Sequence, residues 1–373
     1  MTLTAGVRIR GAGADFQSPE QWLADAGLAS AVARADGADD DGAYRDYRLK
    51  ADAARAWVPD GDTSGIAQAL GLDAEHDPDD LDTEILTTLL ASPLRFEYPS
   101  VEEFQSAVRV RRRVVQAARR TVVDFDTEGA ERPDCWTWTE PTGFILRPGF
   151  ELIPSLELTL WPDVAGRRHS FSCYRATEYV LLLAIAQELQ VCNPAALQVL
   201  QRQWQTKALV GEDFQAVFLR EYGSLQVPLP FGYYVPGDRL WFRNPDPVSA
   251  DIEGFEGSWI FYIGGGRFVN FWKPNAPYTL RNKCVELYHW RHGVCHDGAR
   301  IWMDESIVEE RAAESLRHPE EVRQILDRMM RLRDPAGVYA QGGCIDASRE
   351  AVRGLCPGTL GLTLPGLTHA LAA

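Results

Sequence analysis

HSFSCYRATEYVLLLAIAQEL, residues 169 to 189, is the stretch on which the rest of the chain is organised. A short polar run meets Cys173. A long apolar run then follows through Val180, Leu181, Leu182, Leu183, Ala184, Ile185 and Ala186. A helix that is apolar on every face has to be buried. Ser170 or Ser172 can cap it, because a side-chain oxygen there satisfies a free N–H of the first turn. Cys173 then falls in that first turn. Free N–H groups and the helix dipole favour negative charge at this place, so the thiol is expected to lean toward thiolate. This makes Cys173 a candidate nucleophile. The same pattern also fits a cysteine that only packs, since free Cys is among the most buried residue types.

Working outward, SPLRFEYPSVEEFQSAVRVRRRVVQAARRTV (92–122) predicts a second helix. Ser100 and Glu103 have the spacing of a capping box. Val101, Phe104, Ala107, Val108, Val115 and Ala118 share one face, and arginines fill the rest. Those arginines are expected to form a solvated face that pairs with the acidic, turn-rich run of residues 29–83. That run has no Glu at the distance a calcium loop needs, and it reads as a solvated insertion. Residues 134–160 alternate and are broken by Gly and Pro, which predicts short strands and turns. A helical stretch over 194–221 follows.

Next come GYYVPGDRLWFRNPDP (232–247), GFEGSWIFYIGGG (254–266) and RFVNFWKP (267–274), all strand-like. KCVELYHWRHGVCHDGARIWMDES (283–306) alternates like two further strands joined by a turn at 296–298. Residues 305–332 predict one or two amphipathic helices, and a Gly- and Pro-rich tail closes the chain. Helices followed by an antiparallel strand series indicate an α+β fold. The expected division is an N-terminal segment with the acidic insertion (1–83), a core (84–304) and a helical C-terminal extension (305–373).

The bulk composition narrows the function classes. The 373 residues carry a net charge of −15. That balance argues against nucleic-acid or anionic-membrane partners. Seven cysteines are scattered without a C-x-x-C pair, which fits neither a disulfide framework nor a zinc site and suggests a reducing compartment. The opening MTLTAGVRIRGAG lacks a signal-peptide pattern, so a cytoplasmic location is expected. No run approaches the roughly 18 apolar residues of a membrane span. GGGRF (264–268) is not a phosphate loop, and no cofactor or metal is expected. His289, His292, Cys295 and His296 look like metal ligands in composition. As strand residues, however, His289 and His292 would point to opposite faces.

Several of these pieces together resemble the bacterial spore-coat type of protein-glutamine γ-glutamyltransferase, the calcium-independent transglutaminases. SPLRFEYPSV and its Arg-rich helix resemble that family's first helix and lead-in. FSCYRATEYVLLLAIA resembles its nucleophile helix, and PGDRLWFRNPDP and FEGSWIFYIGGGRFVNFW resemble its strands. The likeness runs from about residue 84 to 272. It implies a papain-like core related to NlpC-type cysteine peptidases, with the nucleophile helix packed on an antiparallel sheet. It also implies acyl transfer from a Gln carboxamide to a Lys amine through a Cys173 thioester, with protein substrates bearing Gln and Lys.

Three positions depart from the family's pattern. Ser172 stands where the family has a Glu before the cysteine. Ser258 stands in place of a second Glu, and Asn270–Phe271 in place of His-Gly. Replacement acids or bases are sought in Glu256, which shares a strand face with Ser258, and in His289 and His292 on the further strand. Two other outcomes stay open. One is a catalytically inactive relative used for binding or assembly. The other is a cysteine amidase or peptidase on the same fold.

Overall fold

The structure is a computed structural model that describes residues 5–11, 16–126, 131–298, 300–335 and 342–364. The chain begins with β1 (Val7–Arg10), α1 (Gln17–Asp25), β2 (Val32–Asp39) and β3 (Gly42–Leu49). Three helices follow, α2 (Ala51–Trp57), α3 (Ile66–Leu70) and α4 (Pro78–Leu90), and then β4 (Phe96–Tyr98). The strands form one sheet in the order β2-β3-β1-β4, antiparallel except for the β1–β4 pair.

The acidic run is therefore folded into strands and helices, although residues 34–43 are largely as solvent-exposed as expected. Its aspartates satisfy arginines on its own sheet, with Arg8 at 2.8 Å from Asp46 and Arg10 at 2.7 Å from Asp39. Further along the same run, Asp77 caps α4 by accepting from the Asp79 N–H at 2.8 Å, with Pro78 in the first helical position. The helix then buries Leu81, Ile85, Leu86 and Leu89.

Helix α5 (Val101–Arg120) starts where expected, with Ser100 Oγ accepting from the Glu103 N–H at 3.1 Å. The reciprocal half of the capping box is not made. The Glu103 carboxylate instead accepts from the Leu355 and Cys356 N–H groups, each at 3.0 Å, and so holds the C-terminal segment. The arginines of α5 are not a solvated face either. Arg111 is buried against Asp238 at 2.6 Å, and Arg109 and Arg113 share the buried Glu188 at 2.8 and 3.1 Å. Arg112, at 2.7 Å from Asp82, is an ion pair that does reach the acidic run.

After β5 (Asp124–Phe125), β6 (Trp136–Thr139) and β7 (Gly143–Leu146) comes α6 (Leu152–Leu160), a helix where strands were expected. Leu152, Ser155, Leu156, Thr159 and Leu160 are buried at helical spacing, and Pro154 sits in the first turn, where no N–H is missed. Short α7 (Pro162–Ala165) and β8 (Ser170–Phe171) lead into α8 (Cys173–Cys192). Helix α8 is buried from Ala176 to Ala186. It packs on α5, α6 and β11 (Gly257–Gly264).

The expected helical stretch splits into α9 (Pro194–Thr206) and α10 (Glu212–Phe218). The remaining strands of the main sheet are β9 (Leu219–Tyr222), β10 (Arg239–Arg243), β12 (Arg267–Phe268), β13 (Tyr278–Thr279) and β16 (Arg349–Val352). The sheet order is β13-β12-β11-β10-β16-β9, all antiparallel. The tail thus supplies an interior strand.

Residues 280–289 form α11 (Leu280–His289) and not a strand. Thr279 caps it, with Oγ1 accepting from the Asn282 N–H at 3.1 Å. The hairpin lies later, as β14 (Val294–Asp297) and β15 (Arg300–Met303). Helices α12 (Glu305–Ser315) and α13 (Pro319–Met329) follow as expected. The mixed α+β class holds. Among the described residues, no helix is long and apolar enough to cross a membrane.

Candidate active site

Cys173 is the first residue of α8. Ser172 precedes it in an extended conformation, and its Oγ accepts from the Arg175 N–H at 3.3 Å. Opposite lies the β10–β11 ladder, which pairs Trp241 with Trp259 and Phe242 with Ser258. The two indoles stack with centroids 6.1 Å apart, and Tyr174 meets Trp259 edge-on at 5.4 Å. Gly257 makes this possible, because a Cβ there would come within 2.0 Å of the Trp241 Nε1. Beneath the rings, the fully buried Arg239 guanidinium lies 4.1 Å from the Trp259 centroid. It donates to Thr177 Oγ1 at 2.9 Å and to Glu350 at 2.8 Å.

Two cavities meet at Cys173. The larger, of about 560 Å³, is walled by Phe125, Phe144, Tyr174, Trp241 and Trp259, with Glu256 at its edge. The smaller, of about 90 Å³, mixes Ser258, Asn270, Tyr278, Lys283, Glu286 and Glu305 with apolar walls such as Phe255 and Trp272. Burial is the dominant influence on the thiol and pushes its pKa up. Backbone N–H groups of Trp259 and Tyr174 pull the other way, as do the charges of Lys283 and Arg239. The helix N-terminus therefore does not by itself give the ready thiolate expected from sequence, because desolvation outweighs it.

Of the predicted site residues, Cys173 and Glu256 share the larger cavity. Glu256 is exposed, and its Oε1 accepts from the Gly254 N–H at 3.3 Å. His289 and His292 line neither cavity. They lie at the end of α11 and in the turn after it, not on a strand. Their Nδ1 atoms are 2.9 Å apart, so they face each other and do not point to opposite sides. His289 Nε2 is 2.8 Å from Ser315 Oγ, which donates to Glu321 at 2.7 Å. Burial and the neighbouring imidazole push His289 down to about 4. Among the described residues, no group of three or more His, Cys, Asp or Glu is arranged to hold a metal ion.

Each of the three departures has a local task. Ser172 is the helix cap. Ser258 and Asn270 both border the smaller cavity beside Cys173. Asn270 also closes a turn, its Oδ1 accepting from the Trp272 and Lys273 N–H groups, each at 3.2 Å. Sequence reasoning missed Lys283 and Glu286. A helical signal for them existed, in Leu280, Cys284 and Leu287 at positions i, i+4 and i+7 behind a Thr cap.

A family model described as protein-glutamine gamma-glutamyltransferase matches residues 63–348. This is wider at both ends than the likeness read from sequence. Among solved structures, a transglutaminase from Geobacillus stearothermophilus, without its C-terminal extension, is 17% identical to the chain. The match covers 57% of this chain and 98% of that one, with a TM-score of 0.38. No curated protein sequence matches the chain.

Proposed function

The chain belongs to the protein-glutamine gamma-glutamyltransferase family, and on that premise we propose that it forms isopeptide bonds, with Cys173 as nucleophile. The Cys173 thiolate attacks the side-chain carbonyl of a substrate glutamine. Ammonia leaves, and a thioester remains on the sulfur. A primary amine, in proteins that of lysine, then attacks the thioester and releases the enzyme. We read α8 against β10 and β11 as a papain-like arrangement, with the cysteine delivered by a helix N-terminus. The single observation that carries this reading is the position of Cys173. It starts a buried helix at the junction of two cavities, and Ser258 and Asn270 border the same space at positions where the family keeps proton-handling groups. Of the carboxylate and imidazoles singled out in the sequence, Glu256 reaches Cys173 from the larger cavity.

The test is incorporation of a labelled primary amine into a glutamine-bearing protein, with Cys173→Ala beside it. Incorporation that disappears in the variant supports the reading. Ammonia release without incorporation would replace it with hydrolysis. A second reading has its own support: burial raises the thiol, and the family's three titratable positions are filled by Ser172, Ser258 and Asn270. On that reading the fold binds glutamine-bearing or lysine-bearing proteins without turning them over. It predicts no incorporation and no alkylation of Cys173 at neutral pH.

A further inference from the structure

The smaller cavity contains a buried cation that no predicted site residue explains. Lys283 is on α11, and its side chain is 3% exposed. Taking an ammonium out of water costs several kcal/mol unless it is paired, so its place in the interior needs a reason. One part of the reason is Glu286, one helical turn on, which accepts from Nζ at 2.8 Å. Nζ also sits 4.5 Å from the centre of the Tyr278 ring. The other part lies across the cavity, where Lys283 and Cys173 border the same space together with Ser258, Asn270 and the aromatic side chains of Phe125, Phe255 and Trp272.

We propose that Lys283, held by Glu286, is the counter-cation and proton carrier of Cys173, taking the place of the carboxylates and imidazole that the chain lacks around its cysteine. This rests on the reading of Cys173 as nucleophile. In the reactive form, reached when the thiol gives its proton to solvent, the Lys283 ammonium faces the thiolate and is balanced behind by the Glu286 carboxylate. When the thiolate attacks the carboxamide, the S–C bond forms and the carbonyl π electrons move to oxygen. Collapse breaks the C–N bond, and the nitrogen takes a proton from Lys283 and leaves as ammonia. Lys283 is then a neutral amine. When the acceptor amine attacks the thioester, its extra proton passes to Lys283, the thiolate leaves, and the ion pair is restored. The sum is carboxamide plus amine giving substituted amide plus ammonia, with no other co-reactant.

Other charged groups stand around this pair. Arg239 adds a second positive charge on the thiolate from below, through β10. Glu178 on α8 is occupied by Arg175 and by the Gly211 N–H, each at 2.6 Å. Glu256 lies across the larger cavity. On the Lys283 side, Lys273 pairs with Glu309 at 2.5 Å, and Glu305 on α12 is held up by burial and by its neighbours Glu286 and Glu309. Lys283 is thus a positive charge of the smaller cavity whose ion pair, with Glu286, is made on its own helix, and it acts on Glu305 as well as on the thiol.

The experiment is the rate of Cys173 alkylation by iodoacetamide as a function of pH, read by mass spectrometry on the Cys173 peptide of the full chain, together with amine incorporation. Lys283→Met is expected to move the alkylation midpoint to higher pH and to cut incorporation by roughly 100-fold, the low end for a lost proton-transfer group. Lys283→Arg is expected to restore the alkylation midpoint but not the rate, since a guanidinium keeps its proton. Glu286→Gln moves the midpoint the opposite way, to lower pH, and keeps the test decisive should Lys283→Met fail to fold. A Lys283→Met profile that superimposes on the parent overturns the proposal, as does a Glu286→Gln midpoint that stays or rises. Amine incorporation that survives Cys173→Ala would instead overturn the functional reading, a result the alkylation data cannot imitate.

Discussion

Helix α11 carries two clusters of ionisable groups, one toward each end, and they are wired differently. Near its start, Lys283 and Glu286 border a cavity that Cys173 also borders. At its end, His289 is closed off. Its Nε2 reaches Ser315, whose hydroxyl donates to Glu321. That makes Ser315 Oγ the acceptor for the His289 Nε2–H. The neutral His289 Nδ1 must then accept from the His292 Nδ1–H. Both ring nitrogens of His289 are thus taken up by neighbouring side chains, and neither imidazole borders the cavities at Cys173. The first cluster has a charge that borders the same cavity as the proposed nucleophile. The second is a clamp that ties α11 to α12 and α13. Imidazoles are the usual sign of proton transfer near neutral pH. Here the lysine has the access and the histidines do the fastening.

Four results would break or sharpen that contrast, beginning with the largest effect. Cys173→Ala is expected to remove all amine incorporation while changing unfolding stability by no more than about 1 kcal/mol, as for a small substitution that buries no new polar group. A comparable loss from His289→Gln, with the fold intact, would put the histidines back in the chemistry.

The clamp should show itself in stability and not in rate. His289 is neutral in the folded chain down to about pH 4, whereas an unfolded His protonates near 6.5. Between those values the unfolded state binds the extra proton. Stability is therefore full above about 6.5 and falls as the pH is lowered toward 4, by roughly 3 kcal/mol in all. Urea unfolding over that range measures it, and His289→Gln should flatten the slope. An unchanged slope in the variant would remove His289 from the account.

Ser315→Ala takes out the middle of the clamp. It should cost about 1–3 kcal/mol, the price of a buried hydrogen-bonding group left alone, and should leave the pH profile of Cys173 alkylation where it is. The smallest effect is expected from Glu256→Gln. Glu256 is exposed on the larger cavity, and its loss should cost far less than the roughly 100-fold typical of a general acid or base. A loss of that size would move proton handling from the smaller cavity to the larger.

The parts of this site that were legible in the sequence are those set by neighbours in the chain. Ser172 caps α8 and Cys173 opens it because cap, turn and apolar run are contiguous. The β10–β11 pair was legible for a similar reason. A Pro236-Gly237-Asp238 turn, in which the Val235 N–H donates to Asp238 at 2.8 Å, feeds two apolar strands. The Lys283 end was not legible, because KCVELYHW satisfies a two-residue alternation as well as a helical one, and the alternation put both histidines on a strand. The Thr279 cap decides between them only once it is noticed. Strand β16 was hidden for a different reason. REAV has no apolar run, and its residues are buried by partners over a hundred positions away, as in Arg239 with Glu350. The arginines of α5 misled because a basic helix face normally meets water, whereas Glu188 and Asp238 are far along the chain and bring Arg109, Arg113 and Arg111 inward.

The most direct measurement of the central claim is the mass of the Cys173 peptide after the protein has been incubated with a glutamine-bearing donor peptide in the absence of amine and quenched in acid. An acyl-enzyme adds the mass of the donor less one ammonia at Cys173, and the added mass is lost when a primary amine is supplied before the quench. A donor that turns over while Cys173 stays unmodified, or an adduct mapped to another of the seven cysteines, would contradict it.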